Sequence, residues 1–528
     1  MEPTFRKSMA WLHTWCGVVT GSVLFVIFWM GSLSVFDQEI DRWMMPGTRL
    51  TVTDAPIKLD GAISETAQRL GKGSPNWLVR LPTKRTPAVE LRWRGKDEAS
   101  ERRYLDPATG QLLAHTDTLA GTGFIFPFHF RLHLKWMDLG HWLAGLAGMA
   151  MMVMVVSGVV IHRKIFADFF LFRPQKHMQR ASLDLHNLTG VLAMPFHFVI
   201  ALSGLVIMFA MYFPSSYRVA YPQAEEARQN FNAEAYGQFK RPKAQQPGSL
   251  ASIDAMVAAA EAHWQGSKAS MVWVWHPGDA NSYVEVRRGY EDRVTMTLEQ
   301  AYFDAGTGQL IQRFEAAPVV TVQRFISGLH FIQFDHWILR WLYFVAGLSG
   351  CVMILTGFLF WLESRRASHA RNGLAGVRLV EALTVFSVPG IMAATLVFFI
   401  VNRLLPLDAS LGGFGRAALE MWGFYLAWLV TLVHATLRGH AAWREQSWAV
   451  AVLATIAVAL NWATTGHHLA YTLSHDLWAV AGMDLALLAT AGLAAGAARH
   501  LVVKAARTPA AQVAAPNAIG VCNSTRRT

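Results

Sequence analysis

The sequence predicts an α-helical membrane protein of about eight transmembrane helices with two small α+β lobes, and three observations predict it. The 528 residues are 53% hydrophobic and only 16% charged, well below the charge of an ordinary soluble domain. Eight apolar stretches reach the roughly 20 residues that a helix needs to cross a bilayer. A histidine-bearing segment also occurs twice in matched register. Leu12-His13-Thr14-Trp15-Cys16-Gly17 runs on to Gly31, and Leu185-His186-Asn187-Leu188-Thr189-Gly190 runs on to Gly204, with 18 positions from histidine to glycine in each (31 − 13 and 204 − 186).

In chain order, the predicted spans cover 14–36, 139–161, 186–211, 337–362, 379–401, 416–437, 447–465 and 477–498. The basic residues Arg6, Lys7, Arg163, Lys164, Arg173, Lys176, Arg180, Arg365, Arg366, Arg371, Arg378, Arg438, Arg444, Arg499, Lys504 and Arg507 all fall on one side of such a model. That side is cytoplasmic by the positive-inside rule, with both termini on it. The net charge of +11 is thereby assigned to topology, and no nucleic-acid role follows from it. The first apolar run is too long for a secretory signal and reads as a retained anchor. Cys16 and Cys351 lie within spans and Cys522 in the tail, and there is no C-x-x-C-H, so any haem is expected to be non-covalent and of b type.

Two long segments between spans repeat one plan. In the first, the amphipathic stretch 59–70 precedes strand-like Trp77-Leu78-Val79-Arg80-Leu81 and Val89-Glu90-Leu91-Arg92-Trp93 and ends in Tyr104-Leu105-Asp106-Pro107-Ala108-Thr109-Gly110-Gln111-Leu112. In the second, 253–264 precedes Met271-Val272-Trp273-Val274-Trp275 and Tyr283-Val284-Glu285-Val286-Arg287 and ends in Tyr302-Phe303-Asp304-Ala305-Gly306-Thr307-Gly308-Gln309-Leu310. Alternation bounded by Gly, Pro and Asp reads as short strands, and Asp-x-x-Thr-Gly as a hairpin turn. The spans that follow match too, from Leu132-His133 to Ser157-Gly158 and from Leu329-His330 to Thr356-Gly357. The unit is therefore span, lobe, span, used twice. The predicted organisation is helix 1 over 1–36, a periplasmic lobe over 37–138, helices 2 and 3 over 139–211, a second lobe over 212–335 and helix 4 over 336–365. A four-helix C-terminal membrane extension over 379–500 and a disordered cytoplasmic tail over 501–528 complete it.

The paired Leu-His spans, the Tyr-x-Asp-x-x-Thr-Gly-Gln-Leu lobe ends and Phe36-Asp37-Gln38-Glu39-Ile40-Asp41-Arg42-Trp43 together resemble the PepSY-associated transmembrane family. That family includes bacterial inner-membrane proteins implicated in reductive iron release from ferric siderophores. The resemblance covers residues 1 to about 365 and implies four core helices, two periplasmic PepSY lobes and b-type haems held by histidines.

Ionisable side chains inside a span are costly and usually pair or bind something, and neutral imidazole is a common axial ligand of haem iron. The candidate ligands are His13 and His186 at the cytoplasmic level, His133 and His330 at the periplasmic ends, and His197 within the third span, with His141 and His336 as secondary candidates. On a straight helix, His186 and His197 lie within roughly 20° of one face and about 16 Å apart, which suits two haems stacked across the membrane. No nucleotide-binding fingerprint, nucleophile triad or H-E-x-x-H occurs, so reducing equivalents are expected from a quinol or a separate cytoplasmic reductase. The sequence thus points to an oxidoreductase that passes electrons through haem b to a periplasmic acceptor, above all a ferric siderophore. The competing readings are a non-enzymatic PepSY sensor or regulator binding a peptide or protease, and a siderophore permease. Reporter fusions at Gly95 and Gly278 should be periplasmic and one after Arg371 cytoplasmic; a cytoplasmic signal from either lobe would overturn the topology.

Overall fold

A computed structural model describes residues 4–507 apart from 53–56, 96–99, 116, 163–172, 176, 214–218 and 222–225. Arg163, Lys164, Lys176 and the tail from 508, with Cys522, lie outside the described residues.

The first helix, α1 (Phe5–Ser34), is followed after a two-residue turn by the short α2 (Asp37–Met44). The first lobe contributes α3 (Ala62–Leu70) and strands β1 (Asn76–Arg80), β2 (Val89–Arg94) and β3 (Ser100–Leu105). A π-helical turn at Gly121–Ile125 leads into the short α4 (Phe126–Arg131), and α5 (Leu139–Ile161) crosses back. The next span is broken into α6 (Met178–Leu192) and α7 (Met194–Ile207), which meet at 65°. Pro195 stands at the start of α7, where its missing N–H and its ring are tolerated but a continuous helix is not. The straight-helix relation expected between His186 and His197 fails for this reason.

The second lobe supplies α8 (Ile253–His263) and strands β4 (Ala269–Trp275), β5 (Tyr283–Arg288), β6 (Gln300–Asp304) and β7 (Leu310–Phe314). Then come α9 (Pro318–Phe331), the long α10 (Trp337–Arg371), and α11 (Gly376–Ser387), which continues into α12 (Pro389–Leu404). The chain ends in α13 (Arg416–Arg438), α14 (Ala441–Thr465) and α15 (Trp478–Arg507). Among the described residues, seven helical stretches and the bent α6–α7 pair are long and apolar enough to cross a membrane. This is a multi-pass membrane protein.

The two lobes share one seven-stranded antiparallel sheet, ordered β3-β2-β1-β4-β5-β6-β7. The seam is β1 against β4, with Trp77 opposite Val274 and Val79 opposite Val272, so each lobe covers the edge that the other would leave unpaired. Helices α3 and α8 cover one face over a core of Trp77, Val79, Leu91, Val272, Val284 and Phe303. The seam is locked by a reciprocal cap: Asp254 accepts from the backbone N–H groups of Leu59 and Asp60 at 2.8 and 3.1 Å, while Asp60 accepts from Ile253 N–H and Ser252 Oγ at 2.8 and 2.5 Å.

The C-terminal helices pack against the repeated unit directly. Ile391, Ala394 and Phe398 of α12 join Phe25, Val26 and Met30 of α1 in one apolar cluster. α2 is keyed in beside them, with Trp43 Nε1 donating to Asp484 at 2.8 Å and Arg403 donating to the Trp43 carbonyl at 2.8 Å.

Replacing Asp60 or Asp254 with Ala strips two donors of their acceptor in either lobe. Each change should cost about 1–2 kcal/mol in thermal unfolding of the full chain, and the double variant should cost less than the sum.

Candidate functional site: two imidazole pairs

Four histidines each reach from one helix to a main-chain carbonyl on another. His13 of α1 places Nδ1 3.0 Å from the Met154 carbonyl of α5, and His186 of α6 places Nδ1 2.8 Å from that of Met353 in α10. His129 of α4 does the same to Ile27 of α1 at 2.8 Å, and His330 of α9 to Ile200 of α7 at 2.9 Å. A carbonyl can only accept, so Nδ1 carries the proton in all four rings and Nε2 keeps its lone pair. Among the described residues, no hydrogen bond occupies these Nε2 atoms.

Glycine makes these contacts possible. Four residues beyond each acceptor carbonyl stands a glycine, namely Gly158, Gly357, Gly31 and Gly204, and a Cβ there would come within 3.4, 3.2, 2.7 and 2.9 Å of the respective ring. On a helix, the side chain at i+4 leans back over the carbonyl at i, so a Cβ at Gly31 or Gly204 would clash with the ring, one at Gly357 would crowd it, and one at Gly158 would just touch it. The 18-residue register of the sequence acquires a physical meaning from this. Each repeat's first helical segment carries a histidine for one level and the glycine that seats a histidine of the other.

The rings meet in pairs. His13 and His186 stand 6.2 Å apart between centroids with an interplanar angle of 88°. His129 and His330 stand 5.9 Å apart at 34°, at the lobe-side end of the same bundle. Two imidazoles bound to opposite sides of one metal, with bonds of about 2 Å each, have centroids roughly 6 Å apart. Among the described residues, no group of three or more His, Cys, Asp or Glu converges to hold a bare metal ion. Two facing imidazoles with fixed tautomers instead suit a metal whose remaining ligands come from a planar macrocycle. A largely apolar cavity of about 1220 Å³, open mouth included, surrounds the lobe-side pair; Phe28, Gly148, Phe196 and Tyr343 are among the residues lining it.

His133 is not the partner of His330. Its Nε2 lies 2.9 Å from the Phe124 carbonyl and its ring stacks flat on Phe124 at 4.8 Å, because Leu132 and His133 both adopt left-handed backbone as α4 ends. His129, which the sequence reading passed over, takes that place. The usable signal was the His-Phe dipeptide, His129-Phe130 and His330-Phe331, rather than Leu-His. His197 is buried against Phe28 at 5.7 Å, with Nε2 3.5 Å from Ser349 Oγ, and among the described residues no imidazole pairs with it. His336 caps α10 by accepting from the Leu339 N–H at 3.2 Å, and His141 Nδ1 lies 3.6 Å from Asp138. Neither belongs to a pair.

Asp41 anchors the segment that delivers His129. Its carboxylate accepts from the backbone N–H groups of Gly121 and Thr122 at 2.7 and 3.0 Å and from Thr122 Oγ1 at 2.6 Å, at the head of the turn leading into α4. Beside it, Glu39 receives both Arg85 of the lobe and Arg340 of α10, each at 2.8–2.9 Å, and both arginines also donate to the Val35 carbonyl. Burial pushes the Asp41 carboxyl up to about 7 from its ordinary 3.8, against the pull of Arg102 and the Thr122 bonds. The folded chain therefore holds this proton to higher pH than the unfolded chain does, and the Asp41 contribution to stability falls as pH rises from about 4 to about 7. D41N should flatten that part of the pH–stability profile. D41A, which leaves buried donors unpaired, should cost about 2–4 kcal/mol in thermal unfolding.

Residues 10–364 match the family model described as the PepSY-associated TM region. An uncharacterized protein of Pseudomonas aeruginosa is 30% identical over 304 residues, which cover 54% of this chain and 73% of the relative. The matched span takes in both imidazole pairs, both lobes and the helices between them, and the chain belongs to the PepSY-associated transmembrane family.

Proposed function

We propose that the protein is an electron conduit of the bacterial inner membrane that holds two b-type haems and reduces a periplasmic acceptor, foremost a ferric siderophore, so that iron is released. The observation that carries this reading is the pair of facing imidazole pairs with Nδ1 tied to carbonyls and Nε2 uncommitted. His13 and His186 would hold the haem on the side of the termini, and His129 and His330 the one beneath the lobes. Bound haem supplies one-electron transfer at each level.

The chain's own residues then have three tasks. The carbonyls of Met154, Met353, Ile27 and Ile200 fix ring orientation and raise the basicity of each imidazole, as second-shell acceptors do for metal ligands. The apolar wall of the lobe-side cavity keeps water from the iron. The joined lobes, above that cavity, present the acceptor. The donor is a quinol or a separate cytoplasmic reductase, which gives up the electron that the ferric chelate gains. Hard oxygen donors hold the ferrous product less firmly, so reduction loosens the complex.

Purified protein should bind about two haems per chain by pyridine-haemochrome assay. H13A and H186A should each remove the same spectral component, H129A and H330A the other, and H133A neither. In proteoliposomes with an internal reductant, loss of either component should abolish reduction of an external ferric chelate. Folded protein that binds no haem, or full chelate reduction by H129A and H186A, would overturn the reading.

A further inference from the structure

The face of the seven-stranded sheet opposite α3 and α8 has a composition that packing does not explain. Across β2, β1, β4 and β5 the register sets Arg92 beside Leu78 and Leu78 beside Trp273, with Arg80 opposite Glu90 and Met271 opposite Arg287. The centre of this face is thus the seam between the lobes, where the two repeats bring equivalent residues together. Glu90 and Glu285 occupy matching positions and are buried at 5% and 3% exposure. Each holds the arginine two residues on, Arg92 at 2.6 Å and Arg287 at 2.5 Å.

Four guanidinium groups, those of Arg80, Arg92, Arg102 and Arg287, meet two carboxylates here, which leaves the patch cationic. The side chains of Arg80, Arg92 and Arg287 remain 43%, 35% and 39% exposed. Arg80 reaches Glu90 only at 3.7 Å, and its buried Nε has no hydrogen-bond partner among the described residues. Trp273 lies under Arg287 at 5.9 Å and stacks on Trp275 at 5.3 Å, their planes 11° apart. The β3 margin of the face is closed. Arg102 donates to the Thr118 carbonyl and Tyr104 packs into the cluster that contains α1 and α12, so this side of the sheet looks toward the membrane helices.

We infer that this seam face binds anionic, aryl-bearing iron chelates of the catecholate or phenolate class in preference to neutral hydroxamate chelates. The inference rests on the reductase reading and names its substrate class. Guanidinium forks pair with phenolate or carboxylate oxygens in two-point contacts, and the tryptophan face takes a planar ring by stacking while Arg287 covers it. Glu90 and Glu285 hold the guanidinium groups in place through one side of each, Arg92 by Nε and Nη2 and Arg287 by Nε, so little ordering entropy is lost when the anion meets the remaining N–H groups. A neutral hydroxamate offers neither the charge nor the ring.

Gallium(III) complexes test the site without any redox step, since gallium is not reduced under these conditions. Isothermal titration of the full, haem-loaded chain in neutral detergent would compare gallium tris-catecholate with a neutral gallium trihydroxamate. The catecholate complex should bind at least about tenfold more tightly and weaken with salt. R92Q/R287Q should lose about tenfold for the catecholate while staying within about twofold for the hydroxamate, and W273L should weaken the catecholate alone. Haem content and thermal unfolding confirm that the variants are folded. Equal affinities for the two complexes, unchanged binding by R92Q/R287Q, or a patch saturated by anionic lipid that excludes the chelate would each overturn the inference. Those results would leave the haem count and chelate reduction standing, whereas a haem-free protein would end the reductase reading and leave the gallium titration readable.

Discussion

Everything at the centre of this bundle depends on one contact, an imidazole N–H placed on the outer lone pair of a helical carbonyl. A helix interior offers few free acceptors to a side chain in an apolar setting, because its carbonyls are already engaged and mostly shielded. Here the shield is removed four times, at Gly158, Gly357, Gly31 and Gly204, and each opening is filled by a ring. The contact satisfies Nδ1, selects one tautomer and leaves Nε2 free in a ring that stands about 6 Å from its counterpart. In His133 it is Nε2 that goes to a carbonyl, that of Phe124, and the ring stacks on Phe124 instead of meeting another imidazole.

The surrounding architecture holds those four contacts in register. α1 supplies a histidine for one level and the Ile27 carbonyl for the other, so its position sets both. It is packed by α12 on one side and continued into α2 on the other. α2 is then gripped from three directions: Glu39 by Arg85 and Arg340, Asp41 by Gly121 and Thr122, Trp43 by Asp484 and Arg403. Buried ion pairs of this kind add little net stability over apolar packing, but breaking one partner is costly. Their placement ties the lobe, α10 and the C-terminal helices to a single short helix. The C-terminal extension thus takes part in positioning the histidine bundle.

Much of the fold was legible because the bilayer enforces simple rules on composition and length. The repeated span-lobe-span unit, the strands around Val79 and Val286, and the matched register of His13 and His186 could all be read from spacing. Two features escaped. Pro195 interrupts a run that stays apolar enough to cross a membrane, so the run reads as one straight span although it turns by 65°. His129 lies four residues before His133 and competes with it for the same alignment. Leu-His matched Leu-His, but the chain end of α4 turns left-handed at Leu132 and carries His133 away from the bundle.

The sequence by itself determined that the chain crosses the membrane many times, that its first two-thirds is a duplication, and that histidine and glycine recur at a fixed interval. These follow from local composition and periodicity, which any single helix or strand must obey. Only the tertiary structure decided which rings face each other, that the two lobes close into one sheet through β1 and β4, and that the last helices brace α1. Those outcomes depend on contacts between residues more than 100 positions apart, such as His129 with Ile27, His186 with Met353 and Leu78 with Trp273. Such pairings are chosen by which surfaces can approach closely, and that is settled by a missing Cβ or a proline bend rather than by the pattern of apolar residues.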